Sequence, residues 1–391
     1  MSVNWRYAHT ALALCTLAFA ATMTARLAIS PLVPQITAAF EVTNTTVGLA
    51  LSGMWLAYAL SQFPSGVLGD RYGERAVILA AVGSTAIASV LIAVSPSVVA
   101  FVVFTILLGA GAGLHYSVAT TYLTRQFDDI GGAIGIHVAG GPLAGLLAPP
   151  AAALVGAQYG WRVGILLGAI VAVPVFALFA WRIRPTEPTR PDQSMGERFA
   201  VGPLLELLSR PEIRYTTALA TLGAFTWQAT ASFLPTFLAV GGGLSTALAA
   251  GLFSLYFVVH GVTQPLTGSL SDRVGRDAAV TLTMAAGVAG YGLLVAGSRD
   301  GVGFPTILAG VLLVGVAMSW GAPLQSRFMD HLSTAERGAG FGLVRTVYMV
   351  FGASGSVVVG AVSDLAGWTV AFGLLAVVMA AGLAASLAEA L

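Results

Sequence analysis

One arginine lies inside an otherwise apolar stretch near the start of the chain. Arg26 follows about twenty mostly apolar residues and is followed by Leu27, Ala28 and Ile29. A guanidinium group can hold a carboxylate or phosphate through two parallel hydrogen bonds. An arginine buried in a membrane needs an ion-pair partner or a polar cavity. No Asp or Glu lies in the middle of an apolar stretch, so the sequence offers no internal counter-ion. Arg26 therefore either binds an anion, or bonds helix carbonyls or reaches the outer surface as a gate residue.

Three histidines in other apolar stretches could carry a proton. They are His115, His137 and His260, and imidazole is the side chain that changes charge near neutral pH. Hydrogen bonding between packed helices is the alternative for each. His115 beside Tyr116 is the first choice, and His260 with Gln264 one turn later is the second. No two histidines share a helix at i, i+4 spacing, so we predict no metal site.

Further polar and aromatic side chains in apolar stretches could line a binding cavity, or could simply pack. Tyr58 and Gln62 lie one turn apart and share a helix face, and Trp227 and Gln228 lie in the middle of their stretch. The full set is Trp55, Tyr58, Gln62, Trp227, Gln228, Tyr256, Trp320, Gln325 and Tyr348.

The composition is that of an integral membrane protein. Charged residues make up 9% and hydrophobic residues 57% of the 391 residues, and the mean hydropathy is +0.86. Soluble domains carry roughly 25% charged residues. A single cysteine, Cys15, excludes an internal disulfide framework. The net charge is +1 and no basic run is interleaved with aromatic residues, so we predict no nucleic-acid partner.

The elements that hold these side chains are twelve predicted membrane helices, each long enough to cross roughly 30 Å of hydrocarbon. The first could also be read as a signal peptide, but its apolar run continues past the potential cleavage site. The helices cover about residues 7–34, 47–68, 76–94, 98–124, 132–157, 161–183, 215–240, 247–270, 278–296, 305–324, 338–362 and 368–387. A proline- and arginine-rich connection joins the sixth and seventh, with a short surface helix at about Pro203–Leu208.

Two charged, glycine-containing turns are about 200 residues apart and indicate an internal repeat. One runs from Gly66 to Arg75 and the other from Gly268 to Arg276. Pro34 and Pro235, and the pairs Gly160-Trp161 and Gly367-Trp368, repeat at a similar offset. The sequence therefore predicts a six-helix bundle over 1–183, a cytoplasmic linker over 184–213 and a second six-helix bundle over 214–391.

The pattern G-x-x-x-D-R-x-G-x-R of the first turn resembles the loop between helices 2 and 3 of the major facilitator superfamily. The second turn resembles that family's loop between helices 8 and 9. The resemblance implies an all-α membrane fold of two pseudo-symmetric six-helix bundles and transport by alternating access. Ala76 stands where the family has a last basic residue. The gating residues that the resemblance implies are Gly66, Asp70, Arg71, Gly73, Arg75, Asp272, Arg273, Gly275 and Arg276.

Two other family motifs match only in part. Gly141-Pro142-Leu143-Ala144-Gly145 resembles the core of the helix 5 motif of family antiporters, although His137 and Leu146 replace its outer glycines. This match favours export by exchange. In helix 4, Thr105 stands where many proton-coupled members have an arginine, four residues before Gly109-Ala110-Gly111. That difference argues against the family's usual proton route.

The arginines predict the orientation in the membrane. The loops on one side carry only Arg162 and Arg299, and Arg26 and Arg345 lie inside predicted helices. The arginine-rich side is cytoplasmic by the positive-inside rule, so both termini are expected in the cytoplasm and the protein in the plasma membrane. That side carries Arg6, Arg71, Arg75, Arg125, Arg182, Arg184, Arg190, Arg198, Arg210, Arg214, Arg273, Arg276, Arg327 and Arg337.

Together these features predict a monomeric secondary transporter of a small solute, in contact with the lipid bilayer and without a cofactor. A small organic anion is favoured because of Arg26, and coupling to protons is left open. The resemblance implies a substrate site near the membrane midplane from helices such as 1, 4, 7 and 10. Arg345 either joins that site or reaches the cytoplasmic surface or the Asp70 loop. The alternatives are an exporter of neutral or amphipathic compounds, a passive channel, and a membrane sensor or enzyme. We find no phosphate-binding loop or nucleophile elbow.

Overall fold

A computed structural model describes residues 5–191, 201–299, 303–333 and 339–390, and within these ranges the chain is helical with no strand. Arg198 and Arg337, which the orientation prediction uses, lie outside them. The helices are α1 (Trp5–Leu27), α2 (Val33–Phe40), α3 (Asn44–Tyr72), α4 (Glu74–Ala93), α5 (Val98–Gly113), α6 (His115–Thr124), α7 (Ile130–Val138), α8 (Gly140–Tyr159), α9 (Trp161–Ile165), α10 (Leu167–Arg182), α11 (Val201–Ser209), α12 (Pro211–Thr236), α13 (Thr246–Val274), α14 (Arg276–Gly297), α15 (Phe304–Ala317), α16 (Gly321–His331), α17 (Ala339–Gly352), α18 (Ser354–Ala366) and α19 (Trp368–Ala390).

Ten helical segments of the described chain are long and apolar enough to cross a membrane. Several of them combine two consecutive helices, for example α5 with α6 and α7 with α8. Two more helices, α3 and α12, have 29 and 26 residues but are more polar. These twelve long segments lie where the sequence predicts membrane helices, and the structure is consistent with twelve crossings.

Two of the breaks inside these segments have a proline as their cause. α1 ends at Leu27, four residues before Pro31, and α7 ends at Val138, four residues before Pro142. A proline ring clashes with the carbonyl four residues earlier and has no N–H to donate to it. The sequence predicts one continuous helix over 132–157, whereas the structure divides it into α7 and α8 at this point.

By its contacts, the chain divides into two units, and the first contains residues 1–35 and 53–199. In this unit α1 packs against α4, α7, α8 and α10. Small and aliphatic side chains dominate the interior, which lets the helices approach closely. The buried core residues include Ala11, Cys15, Ala18, Ile78, Val82, Ala119 and Phe179.

The second unit contains residues 36–52 and 200–391. Here α14 packs against α15 and α19, and α12 packs against α17 and α18. Phe237 and Phe372 stack with ring centroids 3.9 Å apart. The hydroxyl groups of Thr230 and Tyr291 share a hydrogen bond of 2.5 Å.

The first turn of α3 is capped by a carboxylate from α18 in this second unit. Asp364 accepts four hydrogen bonds of 2.6 to 3.1 Å from the backbone and side chains of Asn44 and Thr45. The first backbone N–H groups of a helix have no partner within the helix, and a negative charge there is stabilising. The sequence predicts this helix only from residue 47 onward and gives no sign of the cap.

Glycines with positive φ recur at equivalent positions of the two halves. Gly73 and Gly275 have φ of 83° and 95°, and Gly160 and Gly367 have φ of 86° and 83°. Each of the four directly precedes a new helix. Residues with a β-carbon rarely adopt a positive φ because the β-carbon clashes with the backbone. These turns therefore need glycine, as the internal repeat predicts.

We expect Gly73→Ala to destabilise the protein. A β-carbon at this position would lie 2.3 Å from the carbonyl oxygen of Thr186, and the backbone strain adds about 1–2 kcal/mol. The purified protein in detergent should show an apparent Tm about 3–8 °C lower. Gly66→Ala is the matched control, because a β-carbon there meets nothing within 4 Å. Equal Tm values for the two variants would contradict this account.

Candidate functional site

Arg26 is buried in the first unit between its own helix and two aromatic rings. It is 2% exposed, so it does not reach the outer surface in this structure. Its Nε donates to the carbonyl oxygen of Thr22 at 3.1 Å, and its Nη2 donates to Sδ of Met23 at 2.9 Å. The guanidinium carbon lies 4.1 Å from the centre of the Tyr58 ring and 5.2 Å from that of Trp55. One part of the alternative interpretation, a bond to a helix carbonyl, is therefore observed.

The packing of α5 on α3 determines where the two aromatic rings lie. A β-carbon at Gly113 would come within 2.4 Å of the carbonyl oxygen of Tyr58, so only glycine permits this approach. Trp55 and Tyr58 are almost completely buried, and Gln62 follows one turn after Tyr58. The rings offer π faces to the guanidinium, an interaction worth about 2 kcal/mol when it is desolvated.

No carboxylate in the described part of the chain forms an ion pair with Arg26. The ion pairs found there lie near helix ends and involve other arginines. The partners of Arg26 are a carbonyl oxygen, a thioether, which is a weak acceptor, and two rings. Its positive charge is therefore not neutralised, and an anion placed beside it would be strongly attracted.

Two histidines lie next to each other in the same unit. His115 is the first residue of α6 and His137 lies in the last turn of α7, so both occupy breaks between helices. Their ring centroids are 5.4 Å apart, and Phe19 of α1 lies 6.1 and 5.4 Å from them. Tyr116 lies 6.0 Å from His137. The structure thus brings together two histidines that the sequence places on separate helices.

The four ring nitrogens of this histidine pair are buried and have no hydrogen-bond partner among the described residues. The backbone oxygen of Cys15 faces both rings, although not at hydrogen-bond geometry. A buried polar group without a partner costs roughly 1–3 kcal/mol. A ligand could supply hydrogen-bond partners for these ring nitrogens, and a proton could form a hydrogen bond between the two rings.

The helix 5 motif lies against Phe19, whose ring packs beside this pair. A β-carbon at Gly141 would be 3.2 Å from the ring of Phe19, Pro142 causes the break after Val138, and Gly145 is buried in α8. The motif therefore positions Phe19 and, through it, His137.

Most candidate residues of the second unit are uncharged, and Arg345 is the exception. Gln228 donates from Nε2 to the Met349 carbonyl oxygen at 3.3 Å. The ring centroids of Trp320 and Tyr348 are 6.2 Å apart, beside a cavity of about 10 Å³, the size of one water molecule. The His260 ring lies 6.1 Å from that of Tyr256. Trp227, Gln264 and Arg345 are partly buried.

In the first charged turn, Arg75 donates hydrogen bonds to carbonyl groups at the end of α10, and Asp70 accepts a hydrogen bond from the linker. Arg75 donates to the carbonyl oxygens of Ile183 and Ala180 at 2.8 and 2.6 Å, at the end of α10. Asp70 accepts from the Thr189 hydroxyl through Oδ1 at 3.1 Å. Residues 184–191, the described start of the linker, are mostly exposed and are bound to this turn.

The second charged turn uses its charges differently. Arg276 pairs with Asp272 and also with Asp330 at the end of α16. Arg273 is exposed, as is Arg71 in the first turn, where its guanidinium lies 5.5 Å from the Tyr72 ring. The two turns share a backbone form but not a set of contacts.

A sequence model of the Major Facilitator Superfamily matches residues 12–255 and 243–389 of the chain. The chain belongs to the Major Facilitator Superfamily. This is a family of membrane transporters with a multi-pass helical fold, and the resemblance seen in the charged turns is thereby confirmed.

Individual relatives of this superfamily member match over part of their length. The membrane sensor protein UhpC of Salmonella typhimurium is 28% identical over 153 residues, 39% of this chain and 35% of the relative. The probable sulfoacetate transporter SauU of Cupriavidus necator is 31% identical over 148 residues, 37% and 34% of the two chains. The match thus spans about a third of these relatives.

A solved structure confirms the superfamily fold over nearly the whole chain. A crystal structure of a mutant of the nucleoside transporter NupG superposes with a TM-score of 0.82 and covers 98% of this chain and 99% of the other. The sequence identity is 15%, so this similarity shows the fold alone.

Two ion pairs next to the charged turns of this superfamily member were not predicted from its sequence. Glu74 accepts from Arg125 at 2.6 Å, and Arg327 pairs with Asp277. Glu74 and Asp277 both lie just after a positive-φ glycine, whereas Arg125 directly follows α6 and Arg327 lies within α16. The offset of about 200 residues could have revealed both pairs, although Arg125 reads in isolation as part of a surface turn.

We expect Arg125→Gln to destabilise the superfamily member and Glu74→Gln to relieve part of that loss. The Arg125 side chain is 44% exposed but that of Glu74 only 3%. Removing the arginine leaves a buried carboxylate, which costs about 1–3 kcal/mol after allowance for the exposed partner. Apparent Tm values of both single variants and the double variant would form a thermodynamic cycle. Strictly additive losses would show that the two charges do not interact.

Proposed function

We propose that the chain is a secondary active transporter of a small organic anion and that Arg26 holds the anionic group. The observation that carries this proposal is the buried guanidinium without an ion-pair partner in the described chain. Family membership supports alternating access as the mechanism. The positive charge of Arg26 lacks a counter-ion among the described residues, and the negative charge of a bound substrate could supply one.

The arrangement around Arg26 favours a carboxylate, sulfonate or phosphate group over a simple halide. Hydrogen bonds to Thr22 and Met23 use Nε and Nη2 and orient the planar group. Stacking against Tyr58 and Trp55 fixes the plane of the guanidinium. A fixed planar fork matches the two oxygens of an oxyanion. The name of the relative SauU, a probable sulfoacetate transporter, is in keeping with this class.

An exporter of neutral or amphipathic compounds is the second candidate. Two observations favour it: the partial helix 5 motif at Gly141-Pro142, and the uncharged character of Gln228, His260, Gln264 and Trp320 in the second unit. In this case, Arg26 would be a packing or gate residue that its carbonyl and aromatic partners satisfy.

We further infer the predicted domain limits, 1–183, 184–213 and 214–391, and a monomer in the plasma membrane with both termini in the cytoplasm. The distribution of arginines supports the orientation, and the helix α11 supports a structured linker. The gating role of the two charged turns and of Arg345 remains a proposal from the family resemblance.

Substitution of Arg26 should strongly reduce anion transport in proteoliposomes. We would test uptake of glycolate, lactate, sulfoacetate and glucuronate, together with neutral sugars and nucleosides. Loss of charge-assisted hydrogen bonds of about 1.5–3 kcal/mol corresponds to a roughly 10- to 100-fold lower kcat/KM. Arg26→Gln should show this loss, and Arg26→Lys should recover only part of it because an ammonium cannot form the fork.

Arg162→Gln is the matched control for these transport measurements. Arg162 also stacks on an aromatic ring, 4.3 Å from the centre of Trp161, and donates to the Ser95 carbonyl oxygen, but it is exposed. Its loss should leave anion uptake unchanged. Saturable uptake of a neutral compound that is insensitive to Arg26→Gln would reject the anion proposal in favour of the second candidate.

A further inference from the structure

The histidine pair of the first unit is arranged to share one proton. In a straight N–H···N bond of about 2.9 Å between two imidazoles, each ring centre lies about 1.15 Å behind its nitrogen, so the centres are about 5.2 Å apart. The observed separation of His115 and His137 is 5.4 Å, with ring planes 49° apart. The distance therefore suits such a bond, and a rotation of the rings would form it.

In the observed conformation, the ring nitrogens of His115 and His137 make no hydrogen bonds with each other or with the described residues around them. All four ring nitrogens lack partners among the described residues, and both side chains are completely buried. An N–H···N bond would satisfy two nitrogens, and the nearby Cys15 carbonyl oxygen could accept from a third. Both histidines lie at helix breaks, where the backbone can adjust more easily than inside a regular helix.

The charged and titratable groups around the pair come from four helices, and one of them carries an unneutralised charge. α1 contributes Cys15 and Arg26, and α6 contributes Tyr116, whose ring lies 6.0 Å from that of His137. One step further away, Tyr58 of α3 lies against Arg26, Tyr122 of α6 lies near Cys15, and Glu74 of α4 lies near Tyr122 and is neutralised by Arg125. Arg26 lies seven residues after Phe19 on α1, about 10 Å along the helix, and Phe19 stacks on His115. At such a distance in a medium of low dielectric constant, like charges repel. An imidazolium beside an unneutralised Arg26 is therefore unfavourable, and an anion at Arg26 removes this obstacle.

We propose that His115 and His137 form a shared proton site that fills when an anion binds at Arg26. This inference rests on the proposed anion transport and adds its coupling ion. The proton comes from water on the side where the anion enters, binds a free ring nitrogen, and is held between the two rings. It leaves to water on the other side with the anion. A monoanion and its proton thus cross together without net charge.

The first test measures proton uptake on anion binding by the purified, intact protein in weakly buffered detergent solution with a pH dye. The probes are glycolate, lactate, sulfoacetate and glucuronate, and the fluorescence of Trp55 beside Arg26 reports binding. Wild-type protein should take up about one proton per bound anion near neutral pH. His115→Gln and His137→Gln should each lower the uptake at least tenfold while an anion still binds.

The control variant is His9→Gln, because His9 is exposed on α1 and packs its ring against Phe127, 5.5 Å away. It should take up protons as the wild type does. Should a histidine variant not fold, the wild type alone gives a second measurement. Its anion association constant should rise up to about tenfold per unit fall in pH in the range where the pair titrates.

The possible results separate this inference from the proposed function. Arg26-dependent binding with no proton uptake, with uptake that survives both histidine substitutions, or with a flat pH profile overturns the shared proton site and leaves anion transport in place. If no probe binds, or if binding does not change in Arg26→Gln, the proposed function fails and this inference fails with it.

Discussion

A charge inside an apolar helical bundle must be neutralised, and this requirement organises the polar side chains of the protein. Near the helix ends it is met by ion pairs, such as Glu74 with Arg125 and Asp277 with Arg327. Arg26 is the exception among the buried arginines of the described chain, since its partners are dipoles and rings. Water is absent from the hydrocarbon region and cannot replace a counter-ion there. This exception is the basis of the anion site proposed at Arg26.

The sequence was sufficient to predict the helices and their order. Long apolar runs have few other stable structures in a bilayer, and the positions of the charged turns and of glycines such as Gly160 and Gly367 revealed the repeat. The break between α7 and α8 was also encoded in the sequence. Pro142 has no N–H to donate to the carbonyl four residues earlier, and its ring clashes with that carbonyl. The predicted boundaries therefore differ from the observed ones where one crossing is divided into two helices. A proline is the cause in the first and fifth crossings, but no proline lies near the breaks at Leu114, Leu166 and Ala353.

The contacts of the candidate site could not be predicted in the same way. An apolar helix has no polar face to show how it is rotated, so nothing in the sequence indicated that Tyr58 lies under Arg26. That contact depends on the close approach of α5 at Gly113. Likewise, the sequence indicated His115 and His137 separately, and only the structure places their rings 5.4 Å apart, beside Phe19. Residue types predicted which side chains could bind an anion or a proton, and helix packing determined which of them lie together.

The cap on α3 has a consequence for how the chain is made. Asp364 lies 320 residues after Asn44, and at a synthesis rate of about 5–20 residues per second this separation corresponds to roughly 15–60 s. During that interval the first turn of α3 has already left the ribosome, while the carboxylate that will satisfy it does not yet exist. Water or lipid headgroups must serve its N–H groups until then. The N-terminal end of α3 is thus among the last parts of the protein to reach its final form, although it is among the first to be synthesised.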